Sequence, residues 1–192
     1  KVFTDTVVPN GITNLSNVKY GGTGFFYDKA EPLPYAIEHI MPDYHLYDNW
    51  VAEMIEGGAK PSQFDAYQNY SIGFLTRGCF RQCEFCVNKN YKQCIEHAGV
   101  EEFYDPSRKK ICLLDDNFFA CKEWRRLIEG VKKINKPFIF KQGLDERLLT
   151  KDKIEEMLSW KYIGRYIFAF DNIADYDLIE SKLKLLKSIT NK

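Results

Sequence analysis

The sequence carries no net charge, because 27 basic and 27 acidic residues cancel. No global field therefore draws the chain to nucleic acid or to an anionic membrane, although a local groove for RNA is compatible with that balance. The sequence lacks any run of about 18 apolar residues, so no segment is a candidate transmembrane helix and no membrane partner is expected. It also lacks a basic, apolar and small-residue leader pattern. Low-complexity tracts are missing, and so are internal repeats beyond a recurring β/α unit. A secreted disulfide framework is missing too: of six cysteines, three crowd into Cys79–Cys86 and three, Cys94, Cys112 and Cys121, are scattered. Clustered cysteines without an export signal read as cytoplasmic metal or redox chemistry.

What is present is the material of an ordered globular protein. The chain has 192 residues, 45% hydrophobic and 15% aromatic, enough to bury roughly 70% of its unfolded surface without disulfides. Residues 1–70 read as an N-terminal segment and linker. VFTDTVV alternates as a strand does and stops at Pro9-Asn10-Gly11, a turn signal. NVKY then runs into Gly21-Gly22-Thr23-Gly24. Residues 31–48 hold three prolines and little periodicity, as a connecting segment would, and VAEMIEGGAKP predicts a short helix ending at Gly57-Gly58. The first residue is Lys1 rather than Met, in strand-like sequence, so a preceding segment is expected.

From Ser71 onward the pattern is regular. SIGFLTRG, KKICLLDDN, FIFKQG and IGRYIFAFD read as four apolar strands. Between them lie helical stretches. In ACKEWRRLIEGVKKIN, Trp124, Leu127, Ile128, Val131 and Ile134 repeat on one face. Pro137 ends that helix, and Thr150 is placed to cap KDKIEEMLSW. DYDLIESKLKLLKSI is the last helix, with Leu178, Leu186 and Ile189 as core candidates. Continuous apolar strands alternating with amphipathic helices predict an α/β fold with a parallel sheet. In such sheets ligands sit at the carboxyl ends of the strands. Those ends carry Cys79, Asp115-Asp116-Asn117, Gln142-Gly143 and Asp171-Asn172, so polar groups capable of binding surround the cysteine loop.

The loop itself, TRGCFRQCEFC, holds three thiols, an odd number. Spacing alone leaves three readings open. Three thiolates can hold an iron–sulfur cluster with one iron left for a substrate or cofactor. They can form a zinc site with Cys94 as fourth ligand, although only Cys83 and Cys86 make the two-residue knuckle that structural zinc favours. Or they can be buried thiols with no metal.

Cys79-x3-Cys83-x2-Cys86, with aromatic Phe85 before the last cysteine and a strand before the first, resembles the signature of the radical S-adenosylmethionine (radical SAM) superfamily. The whole stretch GFLTRGCFRQCEFCVN resembles the branch whose members often carry an N-terminal cobalamin-binding domain. The resemblance runs roughly from Val18 to Asp171. It implies a partial TIM-like (β/α) half barrel, with a 4Fe–4S cluster on Cys79, Cys83 and Cys86. It further implies S-adenosylmethionine on the open iron and reductive cleavage to a 5′-deoxyadenosyl radical that abstracts hydrogen from a substrate. Phe85 would pack near the adenine. Where many members have a Gly-Gly-Glu-like stretch for the methionine amino group, this chain has Asp115, Asp116 and Asn117, whose acceptors suit an ammonium; a helix cap is the other role for Asp116 or Asn117. Gln142 and Arg147 would bind the ribose and carboxylate, with a surface turn the alternative for Arg147. No residue is assigned a catalytic role. The substrate class stays open, and an electron donor such as flavodoxin or ferredoxin is the implied partner. Methylthiotransferases acting on tRNA share a similar loop, but no RNA-binding tail is visible.

A half barrel of about six β/α units at roughly 30 residues each is longer than the stretch beyond the loop, so residues 71–192 are expected to be a barrel incomplete at its C-terminus. Gly21-Gly22-Thr23-Gly24 matches the end of a small, truncated Rossmann-like module related to cobalamin-binding domains. Asp43-Tyr44-His45-Leu46-Tyr47-Asp48 superficially matches a cobalt-ligand pattern, but Asp48 stands where glycine belongs, and cobalamin is not expected to bind. A cobalamin or nucleotide carrier module without catalysis is the remaining alternative. His39 and His97 lack neighbours at ligand spacing and read as surface or interface residues.

Overall fold

The computed structural model describes residues 30–88 and 90–190, together with Gly22 and Phe26. The strand expected in VFTDTVV and most of the Gly21–Gly24 loop lie outside the described residues. The rest is α/β, built on a three-stranded parallel sheet.

The sheet is made of β1 (Tyr70–Gly73), β4 (Lys110–Leu113) and β5 (Phe138–Phe140), in the order β1-β4-β5. Ser71 pairs with Ile111, and Ile111 with Phe138. Parallel neighbours need a long return connection. Between β4 and β5 it is helix α4 (Trp124–Ile134), preceded by a turn of 3₁₀ helix at Phe118–Ala120. Trp124, Leu127, Ile128 and Val131 are buried on its inner face, as the periodicity predicts, and Ile134 is partly buried against the same core. Their neighbours include Ile111, Leu113, Phe138 and Phe140. Each such side chain contributes about 1.5–3 kcal/mol by leaving water. Asn135 closes the helix in the left-handed conformation, at φ 62°, and Pro137 prevents its continuation.

Helix α5 (Lys151–Leu158) starts where expected, with Thr150 Oγ1 accepting the Lys153 N–H at 3.5 Å. Helix α6 (Tyr176–Thr190) packs on α5. Its buried contact is Ile179 rather than Leu178, which is 43% exposed, while Leu186 and Ile189 are partly buried against the core.

Three expectations need correction. SIGFLTRG is not one strand: β1 ends at Gly73, and β2 (Thr76–Arg77) pairs antiparallel with β3 (Ile95–Glu96). The break occurs because the Asp115 carboxylate, not a strand, accepts the Leu75 and Thr76 N–H groups, at 3.3 and 2.7 Å. IGRYIFAFD does not form a fourth ladder strand. It touches the sheet region through single parallel bridges, Phe138 to Tyr162 and Leu144 to Phe168, and Gly164, at φ 75°, interrupts its extended run. Finally, residues 31–48 are not a loose linker. They include the short helix α1 (Tyr35–Glu38). The Tyr44 hydroxyl accepts from Ile72 N–H at 2.8 Å and donates to the Phe103 carbonyl at 2.7 Å. Buried Arg108 donates to the carbonyls of Tyr44 and Tyr67. Helix α2 (Asp48–Glu56), which stops at Gly57, and helix α3 (Asp65–Asn69) lead from there into β1.

Candidate functional site

The carboxyl ends of β4 and β5 and the loop after β2 open on one cavity of about 340 Å³. The loop after β2 supplies Cys79, Arg81, Cys83, Phe85, Cys86 and Asn88. The β4 end supplies Asp116 and Asn117, and the β5 end supplies Gln142, Gly143, Asp145 and Arg147. Ala169 and Asp171 complete the wall.

Two glycines let the backbone approach so closely. Gly78 has φ 87°, and a Cβ there would lie 2.6 Å from both Gln93 O and Tyr91 Cδ1. Gly143 has φ 84°, and its Cβ would come within 2.8 Å of Ile167 O. Gln82 adopts φ 52° without being glycine, a conformation that persists only where surrounding contacts hold it. Its Nε2 donates to the Tyr91 carbonyl. Cys86 N–H closes a turn onto Cys83 O at 3.0 Å.

The sulfurs of Cys79 and Cys86 receive aimed donors. Cys79 Sγ accepts from Arg81 N–H at 3.4 Å and from Asn117 Nδ2 at 3.3 Å, and Cys86 Sγ accepts from Asn88 N–H at 3.4 Å. Donors of this kind tune sulfur ligands in cluster sites. None of the six cysteines is in a disulfide.

Around the sulfurs lies a network of charges. Asp116 Oδ2 accepts Gly78 N–H at 2.8 Å and its Oδ1 accepts Asn88 Nδ2 at 2.6 Å. Asp145 Oδ2 accepts from Arg81 Nε at 2.8 Å and Asn117 Nδ2 at 3.0 Å, while its Oδ1 accepts from Arg147 Nε at 2.6 Å. Arg147 Nη1 continues to Asp175 at 2.7 Å. Burial pushes the Asp145 carboxyl up, but hydrogen bonds from Arg147 and Arg81 outweigh it and hold the group below the usual carboxylate range. Asp115 is different: burial pushes it up to about 6, against the opposing hydrogen bonds from Thr76 and Leu75.

Comparisons with protein-family models, curated proteins and solved structures find no match. The site therefore rests on its own geometry. That geometry brings Cys79, Cys83, Cys86, Phe85, Asp116, Asn117, Gln142 and Arg147 to the one cavity. Phe85 and Gln142 are exposed there. Asp115 is not in the wall; it is buried behind it, bracing Thr76. Asn117 does not cap the following turn through its side chain, which is buried and turned to Cys79 and Asp145. Arg147 is not in a solvated turn either, since its side chain is 7% exposed.

The scattered cysteines stand apart. Cys94 does not line the cavity, and burial raises its thiol to about 12. Burial raises the Cys121 thiol to about 11 and that of Cys112 as well. Such thiols stay protonated and inert. Among the described residues, no group of three His, Cys, Asp or Glu side chains is arranged to hold a single metal ion. His45 is in a self-contained turn, with Nδ1 at 2.7 Å from Asp48 Oδ2. His39 and His97 do meet: their rings are 4.6 Å apart, and His39 Nδ1 is 2.6 Å from Glu102 Oε2.

Sequence reasoning missed Arg81, Asn88 and Asp145. The one available signal was the polar run Asp145-Glu146-Arg147 immediately beyond the third strand. Glu146 turns away from solvent, and burial raises its carboxyl.

Proposed function

We propose that this cavity is a radical SAM site, in which Cys79, Cys83 and Cys86 hold a 4Fe–4S cluster and the adjoining wall binds S-adenosylmethionine. The observation that carries the reading is the convergence of all three loop cysteines on one cavity at the strand ends, with N–H donors aimed at the sulfurs of Cys79 and Cys86. When bound and reduced, the cluster supplies the electron that cleaves S-adenosylmethionine and so starts hydrogen abstraction from a substrate.

The residues present fit that group. Cysteines of a cubane each ligate a different iron, so they need not crowd together as ligands of one ion must. Asn117, beside Cys79, leaves Oδ1 buried with no hydrogen-bond partner. Such an orphaned acceptor is costly, and an ammonium donor in the cavity would satisfy it. Arg147 commits Nε and Nη1 to Asp145 and Asp175, so its part is to shape the wall. Gln142 offers an amide to a ribose, and Phe85 a ring face to an adenine.

On this reading the three parallel strands and α4 belong to a TIM-like half barrel. Residues 30–69 form helical turns docked beside β1, and a Rossmann-like unit there is not part of the proposal.

The test is anaerobic reconstitution. It should yield about four irons and four sulfides per chain, lost in Cys79→Ala, Cys83→Ala and Cys86→Ala and retained in Cys94→Ala. Dithionite and S-adenosylmethionine should then give 5′-deoxyadenosine. A colourless protein holding one tightly bound zinc would overturn the reading.

A further inference from the structure

One carboxylate holds both ends of the cysteine loop. Gly78 immediately precedes Cys79, and Asn88 lies two residues beyond Cys86. Asp116 accepts the backbone N–H of the first at 2.8 Å and the side-chain Nδ2 of the second at 2.6 Å, one on each oxygen. The carboxylate is itself fixed. It lies just beyond β4, and its neighbour Asp115 is locked onto Thr76 by bonds of 2.7 and 2.6 Å.

Other contacts act between those ends, among them Asn117 Nδ2 on Cys79 Sγ and Gln82 Nε2 on the Tyr91 carbonyl. The loop's internal backbone bond is Cys86 N–H to Cys83 O, and its middle is tied to the β5 end by Arg81 Nε on Asp145. Pinning both ends at one point removes most of the freedom an open loop would keep, and so meets the closure cost in advance. The sequence suggested Asp116 as a ligand-binding acceptor. The geometry points instead to a role on the protein itself.

We infer that Asp116 is the positioning residue of the cysteine loop, holding its two ends so that Cys79, Cys83 and Cys86 face one cavity in the metal-free chain. What the thiolates then hold rests on the function proposed above; the pinning does not.

The experiment is hydrogen–deuterium exchange on the metal-free full chain, read on peptides spanning residues 76–90 and on those covering β4 and β5. Asp116→Ala should speed exchange at the Gly78 amide by about ten-fold or more, the scale of losing a hydrogen bond to a charged acceptor, with the sheet still protected. Asn88→Ala should loosen the far end of the loop alone. The exchange variant D116N/N88D keeps both bonds with roles reversed: the amide at 116 accepts from Gly78 and donates to the carboxylate at 88. It should restore wild-type exchange. If Asp116→Ala leaves residues 76–90 unchanged, the inference fails. If Asp116→Ala also unprotects the sheet, Asn88→Ala decides, and an unaltered loop in that variant overturns the inference.

A second measurement separates the two readings. After reconstitution, the paramagnetic resonance spectrum of the reduced cluster should change in Asp116→Ala and revert in D116N/N88D. If the wild-type chain takes up no iron, the proposed function falls while the exchange result stands. If Asp116→Ala keeps wild-type exchange and spectrum but no longer binds S-adenosylmethionine, Asp116 is a cofactor ligand and the positioning role is wrong.

Discussion

Replacing Gly78 by alanine tests how tightly the cysteine loop is built, and Gly164 supplies the control. Both glycines have positive φ, 87° and 75°, so alanine carries a similar backbone penalty at each, roughly 1–2 kcal/mol. Both changes also stiffen the unfolded chain to the same degree. The surroundings differ. At Gly164 a Cβ would meet nothing within 4 Å, whereas at Gly78 it would meet Gln93 O and Tyr91 Cδ1, each at 2.6 Å. A backbone carbonyl cannot swing aside, and overpacking of this kind costs about 1–3 kcal/mol. Any shift that relieves it pulls the Gly78 N–H off Asp116, a charge-assisted bond of about 1.5–3 kcal/mol. These two costs are alternatives rather than a sum. Gly78→Ala should therefore lose about 2–5 kcal/mol and Gly164→Ala about 1–2 kcal/mol. Urea unfolding monitored by circular dichroism reads both, with m unchanged. Equal losses for the two variants would refute the close approach at Gly78.

Asp115 gives a pH dependence of definite sign. Its folded pKa of about 6 lies above the ordinary value near 3.9, so its contribution is full below about pH 4 and is lost as pH rises towards 6. Asp115→Asn should flatten that fall, worth up to about 3 kcal/mol, and denaturant midpoints between pH 4 and 7 will show it; an unaltered slope would contradict it. Asp145 has the opposite sign: its depressed carboxyl stabilises above about pH 4 and the benefit disappears on acidification. Arg147→Met removes one of its two guanidinium partners, so it should cost about 3 kcal/mol near neutrality and move acid unfolding to higher pH, a shift that circular dichroism during acid titration would detect. Ile128, fully buried in the core, should cost about 2–5 kcal/mol as Ile128→Ala, measured by thermal or urea unfolding.

The parts legible in the sequence are those governed by local periodicity. Helix α4 was written in the spacing of Trp124, Leu127, Ile128 and Val131, and β4 and β5 in short apolar runs beside turn signals. The parts that were not legible depend on distant partners. SIGFLTRG breaks because Asp115, 39 residues from Thr76, takes over its hydrogen bonding. The proline-rich residues 31–48 look like a linker until Arg108, 64 residues from Tyr44, anchors them. IGRYIFAFD has strand composition, yet composition does not report whether a ladder is completed. In the site, the cysteine spacing and the polar strand ends picked out residues that the fold brings to one cavity. Arg81 and Asp145 are also 64 residues apart, and no spacing rule connects them. Asp115 and Asp116 are adjacent, and only the fold decides which one faces the cavity.

The aromatic packing behind the sheet has an optical consequence. Trp160 is 7% exposed and sits against Phe118, Phe119, Phe138 and Phe140, and Trp124 is equally shielded, while Trp50 is 43% exposed. Iodide should thus quench Trp50 and leave the other two emitting at short wavelength. Trp160 touches Phe118, the residue after Asn117, whose side chain donates to Cys79, so a short chain of contacts links that shielded indole to the cysteine loop. Any chromophore assembled on those thiols would drain the indole's fluorescence, and the protein's own light would report the filling of its cavity.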